Sequence, residues 1–230
     1  IVVNPELKKF SANTFNNLSS LKHFEFIDAK VDLEYMNNNP SLEKLIVGDI
    51  ESLAWRGITG FDKLSYIKLT NAEEISYHHF EGLKALKTVI ISDKTERIYQ
   101  TYIDYGVELD YLEIPFTGVT LEDDTVYADC GAALIDELVI TKGKVLYIEE
   151  KTNNIIFPDN ITKIVNLGWS NITELIVPDT LEEMTKDALI HCRNIETLVL
   201  PFLGKNINTP DRMTYLSESI YENPINDIKA

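Results

Sequence analysis

A solenoid of stacked chain turns, each adding one short strand to a parallel β-sheet, is the fold class this sequence predicts. Three observations carry it. A phrase with apolar residues at its first, fourth and sixth places returns about every 22 residues. Its last three places alternate apolar, variable, apolar, which is the period of a half-buried strand. A second apolar ladder lies three and six residues ahead of several copies, where the chain has to double back.

The copies run Leu21, Phe24, Phe26; Leu42, Leu45, Val47; Leu64, Ile67, Leu69; Leu86, Val89, Ile91; Leu109, Leu112, Ile114; Ile135, Leu138, Ile140; Ile172, Leu175, Val177; and Ile195, Leu198, Leu200. A weaker copy, with polar Thr152 at its first place and Ile155 and Phe157 after it, fills the one long gap. Turns of equal length bring each strand back in the same direction. The predicted fold is therefore a leucine-rich-repeat solenoid of about nine repeats of ~22 residues, with a curved parallel sheet on the concave side. The second ladder pairs Phe15 with Leu18, Ile58 with Phe61, Phe80 with Leu83 and Leu189 with Cys192. Asn, Gly, Ser and Lys between its members suit an irregular or short-helical convex side, with little α-helix. The pattern makes residues 1–230 a single domain.

Composition narrows the partners. Lys plus Arg number 21 against 37 Asp plus Glu, a net charge of -16, which repels a phosphate backbone and argues against nucleic acid. No run approaches eighteen apolar residues and no basic stretch precedes an apolar one, so this segment contains neither a membrane span nor a signal peptide. Cys130 and Cys192 each stand shortly before a phrase, those of Ile135 and Ile195, about three turns apart. At ~4.8 Å per strand that is roughly 14 Å, beyond the ~7 Å reach of a disulfide, so both are expected as free, buried thiols.

Outward positions are where a partner would dock. The middle place of the strand reads Glu25, Ile46, Lys68, Ile90, Glu113, Val139, Ile156, Ile176, Val199, and the outward place before it reads His23, Lys44, Tyr66, Thr88, Tyr111, Glu137, Asn154, Glu174, Thr197. The apolar second half of the first column and the tyrosines of the second make Tyr66, Ile90, Tyr111, Glu113, Val139, Ile156, Ile176 and Val199 the candidate ligand-binding residues. Against this, β-branched residues also stabilise strands for their own sake. Tyr99, Tyr102 and Tyr105, at spacings of three, are expected to pack on the convex wall with their hydroxyls in water. Trp55 and Trp169 are expected to fill wider turns.

Catalytic and metal signatures are weak. Glu122, Asp123 and Asp124 lack the alternating spacing of a calcium loop and are expected to form a solvated loop. His78 and His79 have no carboxylate at metal-ligand spacing. There is no nucleophile elbow, zinc-protease helix or phosphate loop. Neither an enzyme activity nor a cofactor or metal is expected. Three triplets, at Asn17, Asn160 and Asn171, are glycosylation acceptors in a host that glycosylates secreted proteins.

Thr14 to Leu18 before Leu21, and Asp187 to Cys192 before Ile195, with Val177–Pro178 and Leu200–Pro201 closing strands, resemble the BspA-type leucine-rich repeat. Leu109 through Ile114, Pro115, Phe116 to Gly118 and Ile195 through Leu200, Pro201, Phe202 to Gly204 repeat the family's longer phrase. The resemblance implies a secreted or cell-surface protein that works in adhesion, with a protein ligand such as a host or matrix protein, and it carries over no catalytic residues. A structural spacer, or a targeting module for a catalytic domain elsewhere in the parent chain, is the alternative. Both ends break inside a repeat, since Ile225, Ile228 and Ala230 reproduce the phrase. The expectation is a monomeric fragment of a longer array, its caps outside the segment.

Overall fold

The computed structural model describes residues 14–32, 36, 38–51, 60–77, 79–121, 130–168, 170–202, 206, 208 and 227–229. It is a parallel β-solenoid with no α-helix among those residues. The chain packs as two compact units, Ile1–Glu113 with Cys130–Ala133, and Ile114–Asp129 with Leu134–Ala230.

The first unit contains β1 (His23–Asp32), β2 (Lys44–Glu51), β3 (Tyr66–Leu69), β4 (Glu74–Ile75), β5 (Thr88–Ile90), β6 (Arg97–Ile98) and β7 (Glu108–Ile114). Strands β1, β2, β3, β5 and β7 pair in parallel in that order. Phe24, Leu45, Ile67, Val89 and Leu112, the fourth places of five phrases, stand in one register row and are fully buried. Polar side chains bond to a side chain or the backbone of the adjoining turn across 21 to 24 residues, so the turn length read from the sequence is the physical one here. On the return path β4 pairs with β6, aligning Ile75 with Ile98. Phe61, Phe80 and Leu83 fill the second wall as expected, while Ile58 and Trp55 lie outside the described residues.

Tyr102 departs from expectation. It is 1% exposed and its ring meets Phe80 edge to face at 6.3 Å, while Tyr105 is 74% exposed. The Phe80 N–H donates to the Tyr102 carbonyl at 2.8 Å. That bond sets Tyr102 one turn after Phe80 in the inward ladder, and the turn period overrides the local spacing of three.

The second unit contains β8 (Leu134–Ile140), β9 (Val145–Ile148), β10 (Thr152–Ile156), β11 (Lys163–Leu167), β12 (Glu174–Ile176), β13 (Glu183–Met184), β14 (Thr197–Val199) and β15 (Asp227–Lys229). Strand β8 pairs with β10, setting Leu138 beside Ile155. Strands β12, β14 and β15 align Leu175, Leu198 and Ile228. A further parallel sheet, β9, β11 and β13, runs along the return path, where Leu146, Ile164 and Met184 are buried. The turns between Asp136 and Asn171 are shorter, with hydrogen bonds between like positions spanning 17 and 18 residues. Two short turns thus occupy the gap that the weak copy left. Thr152 takes an apolar place fully buried because its hydroxyl donates to the Asn154 carbonyl at 2.8 Å, which removes the penalty for burying it. Along the strand edge Asn194 donates to Asn171, Asn171 to Asn153, and Asn153 to Asp136. Both thiols, Cys130 and Cys192, are free and buried.

Two glycines test how tightly the turns abut. Ile103 N–H donates to the Cys130 carbonyl, which draws the next residue, Gly131, so close that a Cβ there would lie 2.2 Å from the Ile103 carbonyl oxygen, at a φ of +97°. Gly106 has a similar φ of +89° and open space around it. Gly106→Ala is expected to cost ~1–2 kcal/mol, the left-handed penalty alone. Gly131→Ala should cost ~1–3 kcal/mol more from the clash, which urea denaturation of the two variants will measure.

Candidate functional site

The outward rows of the sheet are the ones the sequence indicated. In the first unit Tyr66, Thr88 and Tyr111 share a row, and Lys68, Ile90 and Glu113 share the next. Tyr111 donates its hydroxyl to Glu113 Oε2 at 2.7 Å, and the Lys44 ammonium lies 4.4 Å from the Tyr66 ring centre, within range of a cation–π contact. Burial, and then the Glu113 charge, hold the Tyr66 hydroxyl above its ordinary pKa. In the second unit Val139 pairs with Ile156, and Ile176 with Val199. Ile156 is 44% exposed and Ile176 58%, while Val139 and Val199 are half-buried. These two pairs belong to different sheets, so the four residues form two short apolar pairs instead of one continuous hydrogen-bonded row.

A cleft in the first unit was not foreseen. Strands β1 and β2 run in register to Phe26 opposite Val47 and resume at Lys30 opposite Asp49. Ile27, Asp28 and Ala29 therefore stand against Gly48 alone, a bulge of the kind that re-aims side chains. Beyond it Lys30, Gly48, Asp49, Ile50, Asn71, Glu73, Glu74, Ser76 and His79 line a cleft of about 530 Å³. His79 sits on the return path just before inward-facing Phe80, which holds its imidazole at 3% exposure. Its Nδ1 lies 3.3 Å from Ser76 Oγ. Its Nε2 has no hydrogen-bond partner and faces Asp49 Oδ1 across 3.9 Å. Asp49 accepts the Ile50 N–H at Oδ1 and meets Lys30 at 3.5 Å through Oδ2. Burial raises its carboxyl pKa against the lowering effect of Lys30.

Burial, reinforced by the Lys30 charge, lowers the His79 pKa from 6.5 to about 4. The imidazole is therefore neutral at pH 7, and the 3.9 Å separation is a gap between two polar groups, not an ion pair. Ser76, His79 and Asp49 are the residue types of a nucleophilic triad without its geometry. The carboxylate stands beyond hydrogen-bond reach of the ring, and so weakly basic an imidazole is a poor general base at neutral pH. Among the described residues no three His, Cys, Asp or Glu side chains are grouped to hold a metal ion, and no helix is long and apolar enough to cross a membrane.

The family profile of the BspA-type leucine-rich repeat region matches six copies, over residues 1–110, 59–166 and 141–229. The chain belongs to the BspA-type leucine-rich repeat family. No curated protein and no solved structure gives a significant match. The BspA-type phrase accounts for the outward rows, whereas the cleft lies past the end of the phrase, where the repeat pattern prescribes nothing. His78, Trp169 and the acidic run at Glu122 lie outside the described residues.

His79 makes stability depend on pH. A pKa lower in the folded state than in the unfolded one means that the unfolded chain binds more protons between those values. The stabilisation is whole above pH ~6.5 and is lost as pH falls to ~4, by ~3 kcal/mol in total. Asp49, raised instead of lowered, acts in the opposite sense, favouring the folded state in acid. Urea denaturation at pH 7 and pH 4 should show wild type losing about 3 kcal/mol more than His79→Gln over that interval.

Proposed function

We propose that this BspA-type domain is a non-catalytic protein-interaction module of a cell-surface or secreted protein, and that it adheres to a protein ligand, such as a host or matrix protein, through the outward face of its sheet. The observation that carries the proposal is the exposure of Ile156 and Ile176 on that face, next to the half-buried Val139 and Val199. Apolar side chains in the open, rimmed by Asn154, Glu174 and Thr197, combine an apolar centre with a polar edge, the anatomy of a protein interface. In the first unit, Tyr66, Ile90, Tyr111 and Glu113 make an outward face of their own. Tyrosine adds contact area at small entropic cost, and the Tyr111–Glu113 hydrogen bond fixes that ring in advance. The acidic balance of the chain, -16 overall, favours a basic or neutral ligand surface.

The test is a pull-down from extracellular-matrix and cell-surface extracts, comparing the chain with a variant in which Val139, Ile156, Ile176 and Val199 are all changed to Thr. A specific protein retained by the wild type should be lost, or bound at least about tenfold more weakly, as expected when a few central residues carry an interface. Equal capture by both, or none by either, would make the face a scaffold surface and the domain a spacer.

A further inference from the structure

We infer that the cleft between Asp49 and His79 is a binding site for a primary ammonium group, with Asp49 Oδ1 and His79 Nε2 as its two acceptors. The inference rests on the first unit alone and is independent of the sheet face. Nε2 of His79 belongs to a 3%-exposed side chain of a residue that lines the cleft, and it has no hydrogen-bond partner. Leaving such an atom unpaired costs free energy, and that cost disappears when a ligand supplies the partner.

The chemistry of the ligand follows from three features. Ser76 Oγ stands 3.3 Å from Nδ1, a contact in which either atom can be the donor; in the tautomer whose Nδ1–H donates, a neutral imidazole presents a bare lone pair at Nε2. Beside it stands the carboxylate oxygen of Asp49 at 3.9 Å. Two acceptors side by side call for one atom that carries at least two protons. A hydroxyl has one and a quaternary ammonium none; water and an amide nitrogen have two but no charge, and a primary ammonium has three together with a positive charge.

Distance decides between nitrogen and metal. An atom ~2.8 Å from each acceptor subtends an angle of about 90° across the 3.9 Å gap, within the bend of ordinary hydrogen bonds. A metal at ~2.0–2.1 Å would need an angle of about 145°, far from tetrahedral, so the gap is too wide for it. Charge completes the assignment. Three carboxylates, Asp49, Glu73 and Glu74, line the cleft against one ammonium, Lys30. Arg97 already engages Glu74 at 3.0 Å and Lys30 lies on the far oxygen of Asp49. Glu73 is thus left to balance an incoming positive charge, and an anionic ligand is repelled.

The test is an NMR titration of the labelled chain, followed at the His79 ring nitrogens and the Asp49 carboxyl carbon. The probes are n-butylamine and Nα-acetyl-lysine-N-methylamide, with tetramethylammonium and the side-chain-acetylated lysine derivative as controls. Saturable shifts with the primary amines and none with the controls are expected. Asp49→Asn should weaken binding by about tenfold or more. Glu73→Gln, an exposed change that spares the fold, should weaken it about two- to threefold. A response to butylamine alone assigns the site to free small amines, and a response to both extends it to the lysine side chain of a protein. The proposal is overturned if no primary amine gives a saturable shift, if tetramethylammonium gives the same one, or if neither carboxylate variant weakens binding.

Discussion

Everything in this fold depends on each strand finding the same register against the one before it. A turn of the solenoid cannot bury its apolar face alone and does so only against its neighbours. The row Phe24, Leu45, Ile67, Val89, Leu112 therefore forms only if the chain returns to register at every pass. A slip of one residue would turn that row to solvent and bring the outward row into the core. The outward face is accordingly specified as strictly as the core. Tyr66 shares a row with Thr88 and Tyr111 because Ile67 shares one with Val89 and Leu112.

That coupling explains what could be read in the sequence. A parallel strand with one buried face has a period of two, so placing leucine inward also places its neighbour outward. Both outward columns appear as register rows in each unit, and even Ile228 falls beside Leu198. Three features escaped the reading. The short turns around Thr152 carry a polar residue where the pattern asks for an apolar one, and only the bond to the Asn154 carbonyl shows why it is tolerated. The strands of the return path are two to five residues long, too short to display a period. Tyr102 is placed by its distance of one turn from Phe80, which its local spacing of three does not reveal.

The cleft was hidden for a related reason. Repeats are recognised by their apolar places, and the polar residues just past the phrase have no pattern to obey. Asp49 and Asn71 do share a place, each four residues after the middle of its phrase, and that is a signal a search for polar ladders would find. Lys30 breaks the series, since the bulge in β1 is needed to bring it opposite Asp49. His79 draws no attention beside His78 because the carboxylate that faces it, Asp49, lies far off in the chain, in an earlier turn. Metal-ligand spacing tests only for partners nearby in sequence, so it passes over a site assembled across turns.

A solenoid offers an economical place for such a site. The core ladder needs apolar residues at a few places in each turn, and neighbouring turns compensate when one of them departs. At His79 the departure is real. A desolvated imidazole with an unpartnered nitrogen sits beside a desolvated carboxylate whose burial outweighs the help of Lys30. An apolar residue in its place would remove the penalty of roughly 1–3 kcal/mol for an unpaired buried polar atom. Strain of this size persists where the surrounding structure over-determines it, and it gathers at binding sites. Phe80 anchors one side through its bond to the Tyr102 carbonyl, and the bulged β1 anchors the other. The imidazole and the carboxylate stand 3.9 Å apart, beyond hydrogen-bond reach of each other, so the unpaired nitrogen keeps its cost until a donor from outside the chain meets it.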